Sequence, residues 1–297
     1  MKTGWHKYLF YFSLVFLVIA LYKADYLQIP TIYSPAYFIT AFVCLACGFM
    51  VNILSQKRLL EKYDCQISVR EAIAMEGLNI FSKYIPGKVW MVMGKVAYLA
   101  ERKKFRVSEL SLLFLHVHIV VLWCGLVLGI CGLWINDALY FLSWAGLAIL
   151  LFFTMMLLSK RIYHAVLSLS NKLLKRDYRL PDIDISKTLF LVPWFLAGWV
   201  LWGCGFYLLA LSITEDSLPL STIFCFPLSA TIGVLFLFAP GGIGIRESII
   251  TGYLALLNVA IPEAVTISAV SRVWFLGGEV FFFLAGCVAH RKYRKDS

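Results

Sequence analysis

Long uncharged apolar runs constrain the fold of this chain more than any other feature. The stretches 111–134, 138–158 and 189–213 contain no Lys, Arg, Asp or Glu. A helix of about 20 such residues spans the hydrocarbon layer of a membrane, which is about 30 Å thick. The runs also lack the alternating pattern of a membrane β-barrel. The sequence therefore predicts an all-α, polytopic integral membrane protein, with residues 1–297 forming a single membrane domain.

Composition excludes an ordinary soluble domain and argues against nucleic acid as a partner. Of the 297 residues, 61% are hydrophobic and only 15% are charged, and a soluble surface needs more polar cover than that. The net charge of +10 would suggest nucleic-acid binding in a soluble protein. Here the Lys and Arg residues lie in short segments between apolar runs, so the expected partners are membrane lipids with anionic headgroups.

The basic residues also predict the orientation. Lys and Arg concentrate in alternate loops and near both ends of the chain, which places both termini in the cytoplasm and the protein in the plasma (inner) membrane. The first run is short and follows two lysines, but no small-residue cleavage site follows it, so a retained helix is expected rather than a signal peptide. About seven spans are predicted: 8–22, 35–54, 111–134, 138–158, 189–213, 220–238 and 264–288.

Two further segments, 69–99 and 238–258, are helical in pattern but interrupted by Pro-Gly. Flanking charges predict that the first re-enters from the cytoplasm and the second from outside, which suggests an inverted repeat with halves 35–158 and 189–288. Breaks of this kind free backbone N–H and C=O groups, which must then line a cavity or pack inside protein. The alternative is that each Pro-Gly is simply a turn at the membrane interface.

Four charged residues near the second break are the candidate site. Arg246 and Glu247 directly follow the break, while Arg272 and Glu279 are seven residues apart on one face of the last span. A charged side chain inside a membrane needs a partner or a water-filled site. Arg246 also sits in the first helical turn, where the helix dipole favours an anion. Its expected partner is an anionic ligand or Glu279; a purely structural pairing of these four residues is the alternative.

Other polar side chains give weaker signals. Lys83, Lys88 and Lys95 surround the first break and are equally well explained as anchors at the interface. The pair Cys44 and Cys47 lies on an apolar helix without neighbouring ligands and is expected to serve packing. No metal site, cofactor or catalytic constellation is predicted, and the chain is not expected to be an enzyme.

The two interrupted motifs carry a family resemblance. Ile85-Pro86-Gly87-Lys88-Val89-Trp90 and Pro240-Gly241-Gly242-Ile243-Gly244-Ile245-Arg246-Glu247 resemble the membrane region of lysylphosphatidylglycerol synthases and its stand-alone flippase-like relatives. The resemblance implies movement of a lipid across the membrane. It does not extend to the soluble domain that performs aminoacyl transfer in the synthases. Relatives without that domain serve surface-polysaccharide or lipid-linked sugar pathways, which adds polyprenyl-phosphate lipids to the expected substrates.

The resulting hypothesis is a flippase-like translocator of an anionic phospholipid or a polyprenyl-phosphate-linked lipid. Two alternatives remain open: an accessory scaffold for envelope-biosynthesis enzymes, and a small-solute transporter. The predicted substrate-binding residues are those of the two breaks and the four intramembrane charges: Pro86, Gly87, Lys88, Pro240, Gly241, Gly242, Gly244, Arg246, Glu247, Arg272 and Glu279.

Overall fold

The structure is a computed structural model that describes most of the chain. The described residues are 31–84, 89–100, 107–136, 140–158, 168, 189–236 and 240–296. The predicted first span, 8–22, lies outside them, as do Pro86, Gly87 and Lys88 of the first break.

The described residues form nine α-helices and three 3₁₀ segments, with no strand among them. The 3₁₀ segments are Ile80–Tyr84, Leu220–Phe224 and Pro240–Gly242. In chain order the helices are α1 (Pro35–Lys62), α2 (Val69–Asn79), α3 (Val89–Ala100), α4 (Val107–Ile135), α5 (Tyr140–Leu158), α6 (Val192–Ile213), α7 (Cys225–Leu235), α8 (Ile245–Leu256) and α9 (Ile261–Asp296).

The predicted spans outside the first are helices in the structure. Helices α1, α4, α6 and α9 are long and apolar enough to cross a membrane, and shorter apolar helices cover Tyr140–Met155 and Leu220–Leu235. Helix α9 has 36 residues, about 54 Å at 1.5 Å per residue. It is therefore longer than the hydrocarbon layer, and its basic end extends beyond it.

Local sequence signals explain where two helices begin. Pro35 opens α1, and the hydroxyl of Ser34 accepts the N–H of Tyr37 at 3.5 Å. At the start of α2 the Ser68 hydroxyl accepts the Glu71 N–H at 3.1 Å, and the Glu71 carboxylate accepts the Ser68 N–H at 2.7 Å. This reciprocal capping box satisfies two N–H groups that the helix itself leaves without acceptors. It thereby favours the start of α2 after Ser68, although the residues at this point of the chain are polar.

Close helix crossings bring the interrupted segments into the bundle. Helix α1 packs along α6, and α2 packs along α9. At the α2–α9 crossing a Cβ atom on Gly77 would lie 2.3 Å from the carbonyl oxygen of Phe282, and one on Gly286 would lie 2.9 Å from the Cα of Gly77. Only glycine permits this backbone approach, which is a common way to pack helices in membranes. The crossing holds α2, and with it the first interrupted segment, against α9.

The order of elements occurs twice along the chain. A long helix, an interrupted hairpin and a second long helix appear first as α1, α2–α3 and α4, and later as α6, α7–α8 and α9. The second hairpin is closed, since α7 packs against α8. The 3₁₀ turn Ile80–Tyr84 directly precedes the first interruption, and the 3₁₀ turn Pro240–Gly242 lies within the second.

Candidate functional site

The second break is a run of left-handed backbone packed inside the protein. Gly241, Gly242 and Gly244 have φ angles of 59°, 70° and 84°, a region that residues with a Cβ rarely adopt. Gly242 is buried, and its Cα lies close to Gly233 of α7. Pro240 opens the 3₁₀ turn just before these glycines. Gly241 and Gly242 of this break therefore pack against protein, while Gly244 is exposed.

The two interrupted segments meet in the interior. The ring of Tyr84, the last residue described before the first break, lies against Gly241: a Cβ atom there would be 2.4 Å from Tyr84 Cε1. The guanidinium of Arg272 lies over the same tyrosine ring at 5.5 Å and donates from Nη1 to the Gly241 carbonyl at 3.0 Å. A carbonyl freed by the break thus receives a hydrogen bond from a charged donor, the kind of compensation that broken helices require.

Glu247 is held by the backbone and by Arg272. Its carboxylate accepts the Gly244 N–H at 2.7 Å, and its Oε1 lies 3.7 Å from Arg272 Nε. The Ser268 hydroxyl of α9 donates to the Glu247 carbonyl at 3.2 Å. An acidic side chain in the first turn of α8 also suits the helix dipole. Glu247 therefore fixes the start of α8 and its position beside α9.

Glu279 pairs with the first interrupted segment. Its side chain has no exposed surface, forms an ion pair with Lys83 and accepts the Tyr84 hydroxyl at 2.8 Å. Glu279 was one of the two expected partners of Arg246, and that prediction is wrong, because this carboxylate pairs with Lys83. The physical reason is the packing of α2 on α9. It places Lys83 and Tyr84, in the 3₁₀ segment that follows α2, beside the Glu279 carboxylate.

Arg246 has a different environment from the other three charged residues. Only 7% of its surface is exposed, and its guanidinium lies 5.0 Å and 5.1 Å from the ring centroids of Phe226 and Phe275. Among the described residues no carboxylate oxygen is within 4 Å of it, and its Nε has no hydrogen-bond partner there. It is a buried cation held by aromatic faces, with at least one donor unused.

Arg246 faces a cavity of about 180 Å³ in the centre of the bundle. Two lysines and the second break also line this space, together with Phe and Trp rings from several helices. The full set of lining residues is Phe49, Asn52, Gln56, Glu76, Asn79, Ile80, Lys83, Met91, Lys95, Val117, His118, Val121, Leu122, Trp199, Trp202, Phe226, Ala230, Gly233, Val234, Gly241, Arg246 and Phe275. A lining of this kind, mostly apolar with a few convergent polar groups, is typical of a ligand site.

Lys95 and the polar side chains around it also lie on the cavity wall and were not predicted as part of the site. Lys95 is only 2% exposed; its Nζ lies 2.7 Å from a Glu76 oxygen and donates to Gln56 Oε1 at 3.0 Å. Gln56 in turn donates to Asn52 at 2.6 Å. The reading of Lys83 and Lys95 as interfacial anchors is therefore incorrect for both, because each is held in an ion pair on the cavity wall.

The structure thus brings most of the described candidate residues together. Gly241 and Arg246 line the cavity, while Arg272 and Glu279 are 2% and 0% exposed and hold the two interrupted segments. Gly244 is the exposed N-cap residue that precedes α8, and its N–H donates to the Glu247 carboxylate. Within the described ranges no group of three or more His, Cys, Asp or Glu side chains is arranged to hold a metal ion.

Of the comparisons with known proteins, the one with family models shows the family of this chain. Comparisons with curated proteins and with solved structures give no significant match. A sequence profile described as "Lysylphosphatidylglycerol synthase TM region" matches residues 7–276, which include every described helix up to the middle of α9. The match covers both interrupted segments and extends past Arg272. The chain is therefore an integral membrane protein that belongs to the lysylphosphatidylglycerol synthase transmembrane-region family.

Proposed function

We propose that the protein moves an anionic phosphate-bearing lipid, either a phospholipid or a polyprenyl-phosphate-linked lipid, across the inner membrane. The single observation that carries this proposal is Arg246, a buried guanidinium that faces the central cavity without a carboxylate in contact among the described residues. Membership in a family of lipid-related membrane proteins supports a lipid as the ligand.

An anionic group is the ligand that best satisfies Arg246. Removing a cation from water is costly, and the two phenylalanine rings offset that cost only in part. Glu247, the nearest acidic residue in sequence, is already engaged by the Gly244 N–H and by Arg272. A phosphate oxygen pair matches the planar fork of a guanidinium, and the positive end of the α8 dipole favours the same charge.

Arg272 and Glu279 would hold the site together rather than bind the lipid directly. Arg272 contacts the carbonyl of the second break, and Glu279 contacts the last two residues before the first break. In transporters with paired broken helices, substrate binds where the two breaks approach each other. The contact of Tyr84 with Gly241 is consistent with such a place.

The basic loops and the repeated element order give the proposed topology. Both termini lie in the cytoplasm, and the halves 35–158 and 189–288 are related as an inverted repeat. In that arrangement alternating access arises when one half moves against the other around a fixed central site. The lipid headgroup would then pass through the cavity while its tails remain in the bilayer.

Substitution of Arg246 tests the proposal. Arg246→Met keeps much of the side-chain volume and removes the charge. Because no described carboxylate contacts Arg246, the substitution leaves no buried charge without a partner, and the variant should fold and be monodisperse. Translocation of a fluorescent anionic phospholipid in proteoliposomes should fall at least about tenfold. Arg246→Lys should lie between Met and wild type, because the charge remains but the bidentate fork is lost.

Arg58→Met is the matched control, since Arg58 is exposed near the end of α1 and stacks on Trp194 outside the cavity. It should translocate the lipid at the wild-type rate. If folded Arg246→Met moves the anionic lipid as fast as wild type, the proposed binding of phosphate by Arg246 is refuted.

A further inference from the structure

Glu76 is the one acidic side chain among the described residues that line the central cavity. Lys95 Nζ donates to its Oε1 at 2.9 Å and lies 2.7 Å from its Oε2. In the described part of the chain no other group donates to this carboxylate. Glu247 and Glu279, by contrast, are each held by two partners and do not line the cavity. The cavity therefore contains one carboxylate, and it depends on a single partner.

The two members of this ion pair differ in their access to the cavity. The Glu76 side chain is 18% exposed, whereas the Lys95 side chain is 3% exposed. Two neutral groups also hold Lys95: the oxygen of Gln56 accepts from its Nζ at 3.0 Å, and the ring of Phe114 lies 5.8 Å away. A proton can therefore reach Glu76 from the cavity, and Lys95 would keep its position on the wall if Glu76 became neutral.

The other charges around the cavity determine what neutral Glu76 would change. From α1 only the neutral Asn52 and Gln56 are polar lining residues in the described part of the chain. The charged and titratable side chains that the surrounding elements direct toward the centre are Lys95 of α3, His118 of α4, Lys83 of the first 3₁₀ segment, Arg246 of α8, and Arg272 and Glu279 of α9.

Two of the three lining cations are paired while Glu76 is ionised. Lys83 pairs with Glu279 and Lys95 with Glu76, which leaves Arg246 as the lining cation without a contacting carboxylate among the described residues. Protonation of Glu76 would leave a second such cation, Lys95. An anion in the cavity would then face two cations and would no longer be repelled by the Glu76 carboxylate.

We propose that Glu76 is the proton-binding site of a proton-coupled transporter. One proton from water binds the Glu76 carboxylate, the ion pair ends, and Lys95 joins Arg246 in binding the anionic group. Acidic side chains inside membrane proteins serve as proton sites in many transporters. This inference rests on the proposed function, because it takes the anion at Arg246 as the transported group, and it adds the source of energy.

Linkage gives the coupling its direction. If the proton raises the affinity for the anion, the anion raises the affinity for the proton by the same factor. The two therefore cross the membrane together, and release of the proton restores the Lys95–Glu76 pair and favours release of the anion. A pH gradient should thus drive the anionic lipid from the acidic side to the alkaline side.

Proton uptake on binding is the first test. Dioctanoyl phosphatidylglycerol is the probe, because its phosphodiester keeps a single charge throughout the pH range used. Isothermal titration calorimetry of the purified protein, in buffers with different ionisation enthalpies, counts the protons bound with the lipid. Wild type should take up protons near neutral pH, and its dissociation constant should be about tenfold lower in mildly acidic than in alkaline buffer.

Variants locate the proton. Lys95→Met/Glu76→Gln removes both charges, so no buried charge loses its partner and the protein should fold. It should bind the lipid without proton uptake, at every pH with the weaker affinity of wild type in alkaline buffer. Lys57→Met/Glu61→Gln is the matched control, since this pair lies outside the cavity; it should keep the wild-type uptake. His118→Gln should keep it as well.

Transport gives an independent readout. In proteoliposomes with an alkaline lumen, inward movement of a fluorescent phosphatidylglycerol should be faster than without a gradient, and Lys95→Met/Glu76→Gln should abolish this response. Faster inward movement with an acidic lumen would overturn the direction of coupling.

The possible results separate this inference from the proposed function. Binding that depends on Arg246 but takes up no proton would overturn proton coupling and leave the anionic-lipid proposal intact. Proton uptake that survives in Lys95→Met/Glu76→Gln and is lost in His118→Gln would overturn the assignment to Glu76. Binding that is unchanged in Arg246→Met would refute both proposals.

Discussion

Glu279 joins α9 to the first interrupted segment, and its neutralisation tests whether this ion pair holds the site together. Glu279→Gln keeps the side-chain volume and an oxygen that can accept from Tyr84, but it removes the charge facing Lys83. Breaking a buried ion pair costs about 3–5 kcal/mol, because one charge is left without its partner. The Lys83 side chain is 24% exposed and the Glu279 side chain is 0% exposed. Because the lysine keeps some solvation, the expected loss of stability is about 3 kcal/mol.

The double variant Lys83→Met/Glu279→Gln isolates the pair. It removes both charges, so most of the lost stability should return, with a coupling free energy of about 2 kcal/mol or more. Lys57 and Glu61 supply the control, since their ion pair lies within one helix turn of α1 with side-chain exposures of 17% and 30%. Neutralising that pair should change stability by less than about 0.5 kcal/mol.

The measurement is the unfolding free energy in mixed detergent micelles, taken from denaturant titrations that give the same slope for all variants. Gel filtration of each variant verifies that it starts as folded, monodisperse protein. If Glu279→Gln is as stable as wild type and the coupling free energy is near zero, the pair does not stabilise the contact between α9 and the first segment. The account of Glu279 given above would then be refuted.

Two further predictions concern the break and the topology. Gly241→Ala places a Cβ at φ 59°, which costs about 1–2 kcal/mol before its clash with the tyrosine ring, so thermal stability and lipid movement should both fall. The control is Gly252→Ala in α8, where a Cβ meets nothing within 4 Å; it should be neutral or stabilising by up to about 1 kcal/mol. Equal stability of the two variants would refute the packing argument for Gly241. In a cysteine-light background, Lys104→Cys should be protected from an impermeant thiol reagent in intact cells and Asp216→Cys should react with it; labelling of position 104 from outside would reverse the proposed orientation.

The membrane spans could be predicted because each depends only on its own sequence. An uncharged run of about 20 residues must satisfy its backbone internally in lipid, whatever its neighbours are. The uncharged run at 111–134 accordingly lies within Val107–Ile135. The span predicted at 264–288, which carries only Arg272 and Glu279 as charged residues, lies within Ile261–Asp296. The position of the second break was predictable for the same reason, since Pro240 and the glycines that follow act on their own backbone.

The partners of the buried charges could not be predicted in this way. The spacing of Arg272 and Glu279 placed both on one helix face, and the structure buries both. Which cation each carboxylate meets depends on the angle at which helices cross, and 196 residues separate Lys83 from Glu279. The sequence around a lysine near an interrupted helix is the same whether its side chain extends to the lipid headgroups or points into the protein. The inward position of Lys95 therefore required the tertiary arrangement, in which Gln56 and Glu76 approach it.

Helix α9 contacts both interrupted segments through residues on one of its faces. Arg272 binds the second segment and Glu279 the first, and seven residues separate their attachment points by about 10 Å along the axis. A rigid helix fastened at two points moves both together: sliding along its axis displaces both attachments by the same amount, and rotation turns both in the same sense. A state in which only one segment leaves the centre must therefore break one ion pair while the other stays intact. In the proposed alternating-access cycle, α9 would therefore set an energetic threshold, determined by whichever of the two attachments is weaker.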